Sequence, residues 1–254
     1  MLKNTFLKTL VLCIFFAFLL LALNFILVAK VRIDKALGGA SQKTQANAPS
    51  YIGEKITYNV TLGGLRLGKA YFSSIDNAEI NGRVLNVMLF ETKLARFKDT
   101  EKIYSDPQTL LPIRVERDIL NWFTREKITE DYDQEKFTVT IIKNKGTRQE
   151  TMVIKKDGFI HNAILLPYYV RRLPEIDTVK TIIANLPTRR LHITLASTED
   201  VSVPAGTFRA YHFTSTPKQI DIWISADERR IPLKIKGTGA FGYSMEMKEY
   251  SFKP

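Results

Sequence analysis

From residue 51 onward, apolar and polar positions alternate with a period of two. Ile56, Tyr58, Val60 and Leu62 interleave with Lys55, Thr57, Asn59 and Thr61, which gives a strand one apolar and one polar face. The same alternation recurs at Leu111-Ile113-Val115, Phe137-Val139-Ile141, Leu191-Ile193-Leu195, Ile220-Ile222-Ile224, Ile231-Leu233-Ile235 and Tyr243-Met245-Met247. Val84 to Phe90 is apolar on both phases and predicts a strand covered on both faces. Turn residues punctuate the pattern at Gly63-Gly64, Asn81-Gly82, Asp106-Pro107, Asn144-Lys145-Gly146, Pro204-Ala205-Gly206 and Gly237-Thr238-Gly239. Many strands joined by short turns predict a mainly β fold, a curved antiparallel sheet or open barrel. A doubly wound α/β fold needs regular helix-strand alternation, which is lacking.

Two stretches leave the two-residue period. Between Phe159 and Leu173, apolar residues at Phe159, Ala163, Leu166, Val170 and Leu173 follow helical spacing, with a break or restart expected at Pro167. This predicts one inserted helix that plugs the open side of the sheet. The other stretch is Leu10 to Ala29, almost wholly apolar, whose twenty residues as a helix would span about 30 Å, the thickness of a bilayer's hydrocarbon core. It is longer than a signal-peptide core and ends on Lys30, so it is expected to be an uncleaved transmembrane anchor. Basic residues flank both of its sides and give no clean orientation. A long C-terminal region crosses regardless of them, so the expected location is a bacterial inner membrane, single-pass, with the C-terminal domain in the periplasm. The chain thus divides into an anchor segment at 1–35, a flexible small and polar linker at 36–50, and one β domain at 51–254.

Composition sharpens this picture. The 254 residues carry 37 Lys and Arg against 26 Asp and Glu, a net +11. Setting aside residues 1–35 leaves 32 basic and 25 acidic residues, so the body keeps +7. Basic pairs (Lys155-Lys156, Arg171-Arg172, Arg189-Arg190, Arg229-Arg230) are scattered over several elements rather than massed in a stripe. Nucleic acid is therefore not expected as a partner; a lipid headgroup or an anionic envelope polymer is. The single cysteine, Cys13, lies in the apolar run and excludes a disulfide framework.

Candidate chemistry is sparse. His161, His192 and His212 stand apart on different elements, without metal-ligand spacing, and read as surface or capping residues. There is no nucleophile elbow and no phosphate loop. Acidic residues gather at Glu91, Asp99 and Glu101, and at Glu126, Glu130 and Asp131, each beside basic neighbours. They are expected on solvated strand faces; the rival is a glycan hydrolase, which needs two carboxyls facing each other across a cleft. No metal or cofactor is expected.

Several blocks together resemble the DUF3108 family. They are Tyr51-Ile52-Gly53-Glu54-Lys55-Ile56-Thr57-Tyr58 with Gly63 to Ala70, the Tyr168-Tyr169-Val170-Arg171 segment, and Val203-Pro204-Ala205-Gly206-Thr207-Phe208. Ile222-Trp223-Ile224-Ser225-Ala226-Asp227 with Arg230-Ile231-Pro232-Leu233, and Gly239-Ala240-Phe241-Gly242, complete the set. Asn185-Leu186-Pro187-Thr188 stands where a turn glycine is expected. The resemblance implies an exported bacterial β-rich domain of unknown function and carries no catalytic residues. The resulting expectation is a non-enzymatic envelope protein that binds a lipid or lipid-linked glycan or assists envelope assembly. Tyr168, Tyr169, Trp223 and Phe241 are the expected liners, with Arg171 and Arg172 at the rim. Alternatives are the envelope glycan hydrolase and a structural subunit of an envelope complex.

Overall fold

A computed structural model describes residues 50–253, apart from residue 96, residues 177–180 and residues 239–241. The expected anchor and nearly all of the linker lie outside the described residues, as does Phe241. Among the described residues no helix is long and apolar enough to cross a membrane.

The described chain forms fourteen strands: β1 (Glu54–Leu62), β2 (Leu65–Ile80), β3 (Arg83–Leu94), β4 (Phe97–Ser105), β5 (Pro112–Leu120), β6 (Arg125–Asp133) and β7 (Thr138–Lys145). After these come β8 (Arg148–Lys155), helix α1 (Leu166–Arg171), β9 (Ile182–Asn185), β10 (Arg190–Val203), β11 (Gly206–Thr216), β12 (Ile220–Ser225), β13 (Pro232–Gly237) and β14 (Tyr243–Phe252). They make one sheet in the order β8-β7-β6-β5-β4-β3-β2-β1-β14-β13-β12-β11-β10-β9, every pair antiparallel. Apart from the β1–β14 closure, every neighbour in the sheet is a neighbour in sequence, joined by a tight hairpin or a short loop. The sheet curls, because Ala205 N at the β10–β11 turn donates to Met247 O on β14, four strands away in sheet order, at 3.1 Å. Register shifts at Thr57/Tyr58, Val60/Thr61, Leu195/Ser197 and Trp223/Ile224 add the local twist such bending needs.

The expected strands are present, as are the expected turns that lie wholly among the described residues; Gly239 of the expected Gly237-Thr238-Gly239 turn lies outside them. Asn81 and Gly82 both have positive φ, 53° and 74°, as a two-residue hairpin turn of this twist demands. The β9–β10 hairpin closes without its glycine through reciprocal bonds between Leu186 and Arg189. On β3, Met88 and Phe90 enter the main core, while Leu85 and Val87 pack with Tyr104 on the other face. Val84 is the departure, at the exposed start of that strand.

The face that carries Ile56, Tyr58, Ala70, Phe72, Met88, Phe90, Ile103 and Val115 is the inner face. The segment after β8 crosses part of it, so Ile160, Leu165 and Tyr168 are fully buried against it. The helix is shorter than its sequence spacing suggests. Phe159 to Ala163 runs as irregular chain, and Pro167 sits in the first turn of a six-residue helix, where its missing N–H costs nothing. The plug is therefore one helical turn and a half plus an extended arm, and α1 is buried on most sides rather than amphipathic.

Gly68 marks a close approach of β2 to β3. A Cβ there would stand 2.1 Å from the Lys93 carbonyl oxygen and 2.8 Å from Leu94. Gly68→Ala is expected to destabilise the domain by about 1–3 kcal/mol through forced backbone displacement, read as a lower urea midpoint.

Candidate functional site

Three polar constellations stand out, and the expected site residues divide between two of them. The first fastens the plug. Arg171 on α1 reaches across to Glu54 at the start of β1 in a two-pronged pair, 2.7 Å to Oε1 and 2.8 Å to Oε2. Its guanidinium also donates to the Arg229 carbonyl at 3.0 Å and lies 4.2 Å from the Tyr51 ring centre and 5.0 Å from that of Tyr168. Tyr168 donates its hydroxyl to Glu54 at 2.9 Å, and Tyr58 donates to the Pro232 carbonyl at 2.7 Å. Burial would lower the Arg171 pKa, but Glu54 more than offsets this and holds it above the ordinary value. Burial raises the Tyr168 hydroxyl well above its usual range, reinforced by the Glu54 charge.

The rim position expected for Arg171 is therefore corrected: it is 4% exposed, inside the protein, because its charge is consumed by Glu54. Arg172 stays nearer the surface and donates to the carbonyls of Pro107 and Gln108, both at 3.0 Å. Tyr169 donates to the Leu110 carbonyl at 2.8 Å. Tyr168, Tyr169, Arg171 and Arg172 are thus brought together, with their polar atoms turned to the protein itself.

Trp223 belongs to a different constellation. It points opposite to Ile222 and Ile224, as the strand period requires, and those two isoleucines pack in the cluster that holds Leu166 and Val170 of α1. Its ring stacks on His212 with centroids 4.1 Å apart and planes 8° from parallel, and its indole N–H donates to Glu199 at 2.8 Å. His212 Nε2 lies 3.3 Å from Asp221, and Ser197 stands 3.5 Å from Nδ1. The serine donates its proton to Glu199 at 2.9 Å, so the group reads as a hydrogen-bonded lock between β10, β11 and β12.

The third constellation gathers Asp99, Glu101, Glu126 and Glu130, acids expected to be solvated on strand faces rather than assembled. On the inner face beyond the plug, the cross-strand rows change from apolar to ionic. Strand pairing lines up Phe72, Phe90, Glu101, Arg117, Ile128 and Lys143, and beside them Thr92, Asp99, Ile119 and Glu126. Arg117 forks onto Asp99, at 2.9 Å from Nε to Oδ1 and 2.5 Å from Nη2 to Oδ2, and lies 3.7 Å from Glu101. Lys143 pairs with Glu126 at 3.1 Å. Tyr132 donates to Glu130, and Asn162 of the plug arm donates to Glu101 at 3.3 Å. The same Asn162 accepts from Ile164 N at 2.7 Å, which shapes the approach to α1 and ties the plug to this belt.

Asp99 and Glu101 are both 8% exposed, which corrects the expectation of solvated strand faces. The reason is sheet geometry: both point inward from β4 with Ile103, and the curl closes around them. Burial pushes the Glu101 carboxyl up to about 7; Arg117 opposes this, while Glu130 and Asp99 add to it. Burial also raises Glu130. Burial by itself would lower the Arg117 pKa, but the Asp99 hydrogen bond and the surrounding carboxylates raise it beyond its ordinary value. The belt is open on one side, for Arg117, Ile119, Ile128 and Glu130 are only half-buried. Among the described residues no group of His, Cys, Asp and Glu is set to hold a metal ion.

His161 is also moved from the surface into the protein, under Tyr169, and burial lowers its pKa to about 4. Asn185 N donates to its Nδ1 at 3.2 Å.

Comparison with known proteins adds family and fold. The family described as "Protein of unknown function (DUF3108)" matches residues 57–248. The chain belongs to the DUF3108 family. No curated protein matches it. The DUF3108 chain is similar to a β-barrel-like protein of the DUF1849 domain of unknown function from Brucella abortus. That similarity has a TM-score of 0.50 at 9% identity and covers 80% of this chain and 98% of the other. An exported protein with a YmcC-like fold from Bacteroides fragilis aligns with TM-score 0.28 at 13% identity, over 80% of this chain and 98% of that one. The Brucella likeness shows a shared β-barrel-like fold. Within the DUF3108 blocks, Glu54, Tyr58, Tyr168, Arg171 and Pro232 meet at the plug fastening, and Ser225 and Asp227 fix the loop beside it by accepting from Ile231 N and Arg230 N.

Proposed function

We propose that this protein is a non-enzymatic cell-envelope binding protein. In this reading Leu10–Ala29 anchors it in a bacterial inner membrane, with the β domain in the periplasm. The inner-face belt holds the saccharide part of a lipid-linked glycan. The observation that carries this reading is the half-open row of Asp99, Glu101, Arg117, Glu130, Glu126 and Lys143 on a face that is otherwise apolar and plugged. Fixed carboxylates accept hydrogen bonds from hydroxyl groups and the Arg117 fork supplies donors, while Ile119 and Ile128 between them offer apolar contact to the ring faces of a sugar. The acyl part has no room beneath the plug, because the apolar inner face is filled by Ile160, Leu165 and Tyr168. The lipid tails of such a ligand therefore stay in the bilayer.

A second reading has its own observation. Glu101, with a pKa near 7 and a second, half-buried carboxyl raised by its burial at Glu130, has the character of a general acid in a glycan hydrolase. One experiment separates the two. The protein is incubated with isolated envelope lipid-linked saccharides, and the bound fraction is analysed by mass spectrometry. Recovery of intact saccharide, lost in Arg117→Ala, is the expected result; recovery of cleaved saccharide establishes the hydrolase, and no retention at all removes both.

A further inference from the structure

Antiparallel neighbours run up and down, so the turns β1–β2, β3–β4, β5–β6 and β7–β8 all lie at one end of the meander. This end exposes large apolar side chains. Phe123 is 89% exposed, Leu65 62% and Trp122 46%, and Leu120 is exposed beside them. Trp122 and Phe123 form an aromatic pair with ring centres 6.2 Å apart. Their turn is firmly built: Asn121 Oδ1 accepts from Phe123 N at 3.3 Å, Thr124 N at 3.0 Å and Thr124 Oγ1 at 2.8 Å. The aromatic tip is thus held out by hydrogen bonds rather than left outside by default.

Charge surrounds it. Arg66, Lys93, Lys98, Arg125, Lys127, Lys145 and Arg148 are exposed on the strand ends at this same edge. The acids there are Glu91, which pairs with Lys93 and Lys98, Asp118, which pairs with Arg125, Glu126, which pairs with Lys143, and Glu150, which pairs with Arg148. The basic residues outnumber them. Tryptophan and phenylalanine on a tip, within a collar of lysine and arginine, match the layered chemistry of an anionic bilayer surface. The rings settle at the headgroup boundary and the cations meet lipid phosphates.

We propose that the β5–β6 tip, Trp122 and Phe123 with Leu65 and Leu120, docks this end of the sheet onto an anionic phospholipid surface. Docking would turn the hairpin-turn end of the inner-face belt toward the membrane. The aromatic tip itself contains no belt residue, so its test needs no saccharide.

The test uses the full chain reconstituted in vesicles of phosphatidylcholine, with or without phosphatidylglycerol, that contain lipid spin-labelled near the headgroup. Subtracting the emission of Trp122→Phe from that of wild type isolates Trp122 from Trp223. Trp122 emission should be blue-shifted and quenched in the phosphatidylglycerol vesicles, and much less so in phosphatidylcholine alone. Phe123→Ser with Lys127→Gln should lose most of that quenching while keeping the wild-type melting midpoint. Emission typical of water-exposed tryptophan in both vesicle types overturns the proposal and leaves a protein partner as the occupant. Equal quenching with and without phosphatidylglycerol overturns it too, since the basic collar would then play no part.

Discussion

Arg171→Met should lower the stability of the domain by about 3–5 kcal/mol, which for a domain of this size moves the melting midpoint down by roughly 10 °C. The cause is less the lost attraction than the remaining charge. Glu54 is 3% exposed, and without the guanidinium its buried carboxylate is left with the neutral hydroxyls of Tyr168, which donates at 2.9 Å, and Tyr250. Two aromatic rings, Tyr51 and Tyr168, also lose the cation they face. Arg171→Lys should recover only part of the loss, because an ammonium cannot span both carboxylate oxygens. The decisive comparison is the double variant Glu54→Met with Arg171→Met. If the damage comes from an orphaned charge, the pair of substitutions recovers at least half of what the single variant loses in urea denaturation. If the two losses add instead, Glu54 and Arg171 do not act as an electrostatic unit and the plug is held by its packing.

This fastening also shows what the sequence carried. The blocks that resemble DUF3108 are far apart along the chain, and periodicity accounts for their strands and turns. It places Trp223 opposite Ile222 and Ile224, and the structure has it so. Pattern has no means of showing that Glu54 and Arg171, separated by more than a hundred positions, cancel one another. A basic residue in an apolar run reads as a surface residue until its partner is known, which is why Arg171 was expected at a rim. The strand β4 is the opposite case. FKDTEKIYS offers little apolar alternation because its inward positions are Asp99 and Glu101. The residues that disguise the strand are the ones that build the belt. A signal was present, since Asp99, Glu101 and Ile103 fall on one phase, and so do Arg117 with Val115 and Ile119 on β5. A row of carboxylates in step with an apolar residue, next to a strand with a basic residue in step, is the pattern of an internal ion pair. The extent of the helix was out of reach for another reason. Its apolar spacing describes contacts on a buried arm, and these arise from tertiary packing as readily as from helical geometry.

Glu101→Gln should stabilise the protein at pH 8 and do little at pH 5. The folded state holds the Glu101 carboxyl at about 7, against an ordinary value of 4.5, chiefly through burial and then through the charges of Glu130 and Asp99, with Arg117 opposing. A raised carboxyl means that the folded protein keeps its proton after the unfolded chain has released it. The stability it contributes is thus complete below about 4.5 and is lost as pH rises through about 7. Well above pH 7 the penalty for ionising this group in the fold is on the order of 3 kcal/mol. Glutamine has the shape of the protonated acid, can still accept from Asn162, and leaves Arg117 its fork on Asp99. Urea denaturation at pH 5 and pH 8 reads the effect: the wild type loses stability across this window, and the variant should lose less by that amount. Parallel profiles for the two proteins would mean that Glu101 ionises without penalty, and the belt would then be better solvated than its burial implies. The same substitution bears on function. A binding belt keeps its saccharide when Glu101 becomes glutamine, since the amide preserves an acceptor and adds a donor. A hydrolase that needs a transferable proton at this position does not survive the change. A variant that is more stable at pH 8 and still retains intact ligand therefore favours binding over catalysis on two measurements with different physical origins.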